Sequence, residues 1–216
     1  MSLEEIGKLI IQMLLDSRTT LALFALTALF ALPLGLLVAC GRMSRIRVIQ
    51  WVVRAYLLIM RGTPLILQLI FFYFMPSYIF GQSLPRFWAA VLAFSLNYAA
   101  YFAEIYRGGI EAVPVGQREA ASVLGFSRGQ TFGRIILPQV IKHILPPMGN
   151  EFMVLVKDTA LAQTIGVMEI FRLANTSVSS NASLIPIFVA GVFYLVMNAI
   201  VSKGFSIAEK KLDYYK

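Results

Sequence analysis

The residues of this chain that can do chemistry sit in apolar surroundings, and their spacing is helical. Glu151 and Asp158 are seven apart, two turns along one helix face, and Asn150 and Lys157 repeat that spacing on the adjacent strip. Upstream, Asn97, Tyr101 and Glu104 form a similar line beside Tyr98. Charged side chains at membrane depth cost at least about 2.5–3.5 kcal/mol each, so they normally face protein or a water-filled path. We read Asn97, Tyr98, Tyr101, Asn150, Glu151 and Asp158 as candidates for lining such a path. Two bland pairings compete with that reading. Lys157 can neutralise Glu151 or Asp158, and Glu104 can pair with Arg107 at i+3 near a helix end. His143 reads as solvated or interfacial, and Phe71-Phe72-Tyr73-Phe74 as lipid-facing or interfacial packing. No nucleophile–base pair and no cluster with metal-ligand spacing is evident.

The membrane itself is implied by composition. Of 216 residues 58% are hydrophobic and only 14% charged, against about 25% charged in soluble domains. Several runs reach the roughly 20 apolar residues needed to cross a bilayer. The expected fold is all-α, a single polytopic membrane domain over residues 1–216. Five transmembrane helices are predicted at about 19–40, 64–80, 87–106, 147–166 and 184–205. Residues 3–15 form an apolar helical stripe, either an interfacial helix or the first turns of span one. Pro33 and Gly35 suggest a bend in that span. Residues 46–60 read as a helix near the surface with Arg54 and Arg61 snorkelling. Thr63 as N-cap and Pro64 as first helical residue open the second span. Ile135–Leu145 is too short to cross and ends at Pro146-Pro147, and Val167–Ser183 reads as a polar connection.

Five spans place the termini on opposite sides. With the N-terminus outside, fourteen Lys and Arg lie in cytosolic segments and four outside (Lys8, Arg18, Arg86 and Arg172). The positive-inside rule favours that orientation. The net charge of +8 is thereby assigned to topology rather than to nucleic acid. Met1–Ser17 carries three acids and lacks the basic start of a cleavable signal peptide. Cys40 is alone.

Residues 114–138 are the long polar interval between apolar regions. Pro114 and Gly116 precede a short helix over Gln117–Leu124, Gly125 occupies the position where a left-handed residue ends a helix, and Ser127 with Gln130 forms a capping box for a second helix running towards Pro138. A short exposed helix of this kind suits docking into a groove of another protein. An ordinary loop is the plain alternative.

The residues themselves carry a resemblance. Glu119-Ala120-Ala121, then Gly125, then Ile135, Leu137 and Pro138 resemble the EAA loop of permease subunits of ATP-binding-cassette (ABC) importers. Arg61-Gly62-Thr63-Pro64, Asn97-Tyr98, Glu104–Gly109, Gly149–Phe152 and Val156–Thr159 look like its polar amino acid branch. The resemblance implies a type I importer fold and a cytosolic coupling helix in which Arg118, Glu119, Ala120, Ala121, Leu124, Gly125 and Arg128 meet an ATPase. It implies two ATPase copies that hold ATP and Mg, an extracytoplasmic substrate-binding protein, a second permease copy or sister permease, and a bacterial cytoplasmic (inner) membrane. It implies a transport subunit rather than an enzyme, and a polar amino acid, cationic ones included, as substrate. The chain has no G-x-x-x-x-G-K-[ST] run of its own. An ion-coupled carrier or a stand-alone membrane enzyme using Glu104, Glu151 and Asp158 is the alternative. It would need no docking helix, and a carrier usually shows an internal repeat, which is not evident here.

Overall fold

The computed structural model describes residues 3–212. Every regular element among them is helical. In chain order these are α1 (Leu3–Arg42), α2 (Arg47–Gly62), α3 (Leu65–Phe80), α4 (Arg86–Glu111), α5 (Val115–Val123), α6 (Arg128–Thr131), a π-helical turn (Phe132–Ile136), α7 (Leu137–Asp158), a 3₁₀ segment (Thr159–Ile165), α8 (Ile170–Asn181) and α9 (Ile185–Leu212). On length and hydropathy, Glu4–Arg42 and Ile185–Leu212 are able to cross a membrane, and α2 with α3 counts as one further bent span at most.

Helix α4 is the centre around which the others pack. Ala89, Ala90, Ala93, Phe94, Ala99, Ala100 and Phe102 are fully buried. Its alanines allow close approach, and Gly35 of α1 answers them. A Cβ on Gly35 would lie 2.9 Å from Phe102 Cβ and 3.0 Å from the Ala99 carbonyl. Gly35 therefore serves helix contact, and α1 runs unbroken through Pro33.

Helix α1 also settles the status of residues 3–15. They are the first turns of one 40-residue helix, about 60 Å long at 1.5 Å per residue. Leu9 and Met13 are buried against Ile170, Leu173 and Ala174 of α8 and Ala190 of α9.

Four expectations need correction. Thr63 does not cap α3. It closes α2, its hydroxyl donating to the Ile59 carbonyl at 2.8 Å, and Pro64 takes the N-cap position. Between them the chain bends by 110°. The apolar run before Pro146-Pro147 is not a separate element. Helix α7 continues across both prolines to Asp158, so the predicted span 147–166 comprises only its second half and the 3₁₀ segment, which ends at Gly166 with φ +83°. Each proline removes one amide donor without supplying a stop of its own.

Third, residues 170–181 are helical rather than a connection. Glu169 caps that helix, accepting from the Phe171 and Arg172 amides at 2.7 and 2.6 Å and from the Tyr194 hydroxyl at 2.8 Å. Burial pushes the Glu169 carboxyl above its ordinary range, while the two amides and the Tyr194 hydroxyl pull it down. Finally, the aromatic run is only half outward. Phe71 and Phe74 are exposed, whereas Phe72 and Tyr73 pack on the main core.

Candidate functional site

Two regions gather the predicted residues, one inside the bundle and one on the 114–138 interval. Inside, α4 meets α7. Gly149 is buried against α9, where a Cβ would stand 3.0 Å from the Phe205 ring. This close approach sets the rotation of α7 at the point where Asn150 and Glu151 follow. Asn150 is exposed and Glu151 half-buried. At the last residue of α7, Asp158 Oδ2 accepts a 2.7 Å hydrogen bond from the Tyr98 hydroxyl. Tyr98 is 2% exposed, so this bond lies in a low-dielectric setting that strengthens it. Tyr101 stands beside Tyr98, with ring centroids 6.2 Å apart, and the Arg61 guanidinium lies over its face at 5.4 Å.

Lys157 is exposed and pairs with neither Glu151 nor Asp158 within ion-pair distance among the described residues. The Asp158 partner is a tyrosine that the helical spacing of 157 and 158 could not reveal. Glu104 and Arg107 do pair, at 2.8 Å. Two further arginines join them. Arg42 Nε lies 3.8 Å and an Arg61 terminal nitrogen 3.7 Å from the same carboxylate. The ends of α1 and α2 are thus tied to α4, beside an open hollow of about 500 Å³ that Arg54 and Tyr101 also line.

Asn97 is set apart from these groups. It is 4% exposed, and its amide donates to the Met60 carbonyl at 2.9 Å and to Gln68 Oε1 at 3.0 Å. Gln68 in turn donates to the Met60 carbonyl and to the Thr63 carbonyl and hydroxyl. Two buried amides therefore satisfy the carbonyls that the α2–α3 bend leaves without helical partners. Gln68 was not among the predicted residues. Nothing in its local pattern marks it, because its partners are fixed by the bend.

The 114–138 interval forms its turn and cap as read, with the bounds of the first helix shifted to Val115–Val123. Helix α5 starts at Val115, two residues early, behind Pro114. Gly125 has φ +75°, and the amides of Gly125 and Phe126 return to the Ser122 and Ala121 carbonyls, both at 3.0 Å. This is the paired-bond termination that a left-handed residue permits. Ser127 and Gln130 make both bonds of the capping box, at 2.9 and 3.3 Å. The second helix runs towards Pro138 as expected and continues beyond it. It passes through the π-helical turn into α7, with Pro138 in the first turn, where a missing amide is tolerated.

Ala121 is 1% exposed and faces inward, while Arg118, Glu119, Ala120 and Arg128 are exposed. Val123 and Leu124 are 88% and 73% exposed. Arg45, from the α1–α2 connection, was not foreseen as part of this region. It lines a hollow of about 440 Å³ with Arg118, Arg128 and Phe132. His143 is exposed, at the rim of another hollow with Gln117 and Arg134. Among the described residues no three His, Cys, Asp or Glu side chains are grouped to hold a metal ion.

Comparison with known proteins places this architecture. The L-cystine transport system permease protein TcyB of Bacillus subtilis (strain 168) is 40% identical over 199 residues, covering 91% of this chain and 84% of that protein. The arginine transport system permease protein ArtQ of the same organism is 37% identical, covering 89% of each. A chain of the solved structure described as "Crystal structure of an amino acid ABC transporter with histidines" superposes with a TM-score of 0.85 at 37% identity, over 96% of this chain and 95% of that one. The inward-facing MetNI methionine ABC transporter, at 18% identity and a TM-score of 0.75, shares the fold. Matched over residues 31–214 to the binding-protein-dependent transport system inner membrane component, the chain belongs to that family.

Proposed function

We propose that this chain is the membrane permease subunit of an ABC importer for polar amino acids in a bacterial cytoplasmic membrane. The observation that carries the reading is the docking element α5–Gly125–α6. It bares Val123 and Leu124 to the outside while Ala121 is buried, and it continues into the helix that bears Glu151 and Asp158. An exposed apolar pair on a helix held by a left-handed glycine fits the groove of a partner. That partner is the ATPase, present in two copies and holding ATP and Mg.

The same continuity supplies a mechanism. Val113, in the turn that leads into α5, packs with Ile136 and Val140 in one small core and so ties the entry to the docking element to the start of α7. A displacement of α5 is then passed along α7 as a rigid body. It moves Glu151 and Asp158 relative to Tyr98 and Tyr101 on α4, which is the motion alternating access requires. Glu151 and Asp158 offer carboxylates to an ammonium or a cationic side chain, and Tyr98 holds the second of these in place. Two permease copies, or this chain and a sister, would enclose the path. A binding protein would deliver the amino acid from outside.

The orientation consistent with this has five spans, N-terminus outside and α5 in the cytosol. Helices α4 and α7 then cross despite lower hydropathy, because they bear the polar groups of the path. The carrier or enzyme reading leaves α5 and its exposed pair without a role.

The test is reconstitution of the chain with its ATPase and binding protein in vesicles, followed by ATP-dependent uptake of labelled amino acids. Gly125→Val should assemble in the membrane, bind the ATPase weakly and abolish uptake, since a β-branched residue resists φ +75°. Normal uptake by this variant would sink the coupling assignment.

A further inference from the structure

Arg86 is the first residue of α4, and Arg172 lies in the first turn of α8. Both side chains converge on Gly166, the left-handed residue that ends the 3₁₀ segment. A Cβ on Gly166 would lie 2.9 Å from a terminal nitrogen of Arg172 and 3.3 Å from Cδ and Cζ of Arg86. Two guanidinium groups thus come within 3.3 Å of a single point. Among the described residues neither forms an ion pair. Arg86 donates through Nε to the Tyr73 hydroxyl at 3.3 Å, which uses none of its terminal nitrogens. Glu169 is close to Arg172 in sequence, but its oxygens are taken by two amides and the Tyr194 hydroxyl.

Like charges brought together repel, and each arginine also opens a helix, where the dipole already places positive charge. Arg86 is exposed and Arg172 half-buried, and all three contributions favour an anion at this point. In the orientation proposed above it faces the outside, where the chain otherwise carries few cations.

We propose that Arg86 and Arg172 form a clamp for a carboxylate side chain of the protein that docks on the outer face. Bidentate guanidinium–carboxylate pairing supplies the geometry. The amino acid itself is a poor occupant, since its ammonium group would be repelled by the same pair. Exposed Met168, two residues beyond Gly166, adds the apolar contact that commonly accompanies arginine in protein interfaces. The proposal rests on the importer reading and identifies one contact by which the binding protein engages this subunit.

The experiment titrates substrate-loaded binding protein onto the reconstituted transporter and reads stimulated ATP hydrolysis, at low and at high salt. For the unaltered transporter the half-saturating concentration should rise with salt. For R86Q with R172Q it should be about tenfold or more higher at low salt, as expected when one side of an interfacial charge pair is removed, and nearly independent of salt. R86K with R172K should restore part of the loss, and basal hydrolysis and melting should be unchanged in both. Salt-insensitive docking of the unaltered transporter overturns the proposal without need of any variant. An unchanged half-saturation in the glutamine pair overturns it as well. So does a shift confined to the concentration of free amino acid required, which would assign the carboxylate to the substrate. Complete absence of stimulation in the unaltered transporter overturns the importer reading, and the clamp with it.

Discussion

Asn97 offers the sharpest separation between a transport path and the scaffold around it. Its type and depth nominate it for the path, yet its amide donates at 2.9 and 3.0 Å to the α2–α3 bend. Asn97→Leu, close in shape, removes both bonds. It leaves Gln68 Oε1 without its buried donor, while the Met60 carbonyl keeps the Gln68 amide at 3.0 Å. Each lost bond is worth about 1 kcal/mol and a buried acceptor left unsatisfied about 1–3 kcal/mol. With partial relaxation the total is about 2–4 kcal/mol. In a chain of this size each kilocalorie shifts a melting midpoint by about 2–4 °C. The purified transporter should therefore melt about 5–15 °C lower. Uptake should fall in its maximal rate, in step with the amount of folded transporter, and the substrate KM should stay where it was. A raised KM with an unchanged melting midpoint would refute this reasoning and return Asn97 to the path.

Three further outcomes are expected. Glu151→Gln keeps the shape of a half-buried residue and removes its charge. Uptake should drop more for arginine than for glutamine in the same vesicles, because a charge-assisted bond is worth about 1.5–3 kcal/mol against about 0.5–1.5 for a neutral one. Equal uptake before and after the change would make Glu151 structural. In a Cys40→Ser background, cysteine at Ser127 should be labelled only from the cytosol and cysteine at Ser180 only from outside; the reverse pattern overturns the orientation. Glu169→Ala strips the cap of α8 and the partner of Tyr194, and should destabilise the protein by about 2–4 kcal/mol, read as faster denaturation in detergent. Unaltered stability would show that the capping bonds contribute little there.

What the sequence made legible was chemistry that acts over a few residues. The left-handed Gly125 and the Ser127–Gln130 capping box are set by their own side chains and neighbours, and both formed as read. The Glu104–Arg107 pair is three residues apart and formed too. Partners brought from other helices were not legible. Arg42 and Arg61 reach Glu104, Gln68 reaches Asn97, and Tyr98 reaches Asp158 only after the bundle assembles. Proline misled in one direction. Pro146 and Pro147 look like a terminus, but packing of α7 against α4 and α9 outweighs the lost donors. The α8 segment misled in the other, since its serines and asparagines bond back to preceding helical carbonyls, as Ser179, Ser180 and Asn181 do, and Glu169 supplies the missing start signal.

The close seam of α1 against α4 also bears on how the protein is made. Some forty residues separate Arg42 from Arg86, and a ribosome adds about 5–20 residues per second. For several seconds α1 must therefore wait for the surface it will be sealed against. The face it presents meanwhile includes Leu23, Thr27, Ala31, Gly35 and Ala39, apolar or small residues whose one polar side-chain atom is the Thr27 hydroxyl. A charged group there would raise the cost of waiting in lipid. The polar groups proposed for the path are carried by α4 and α7, which emerge when a partner helix is already in place.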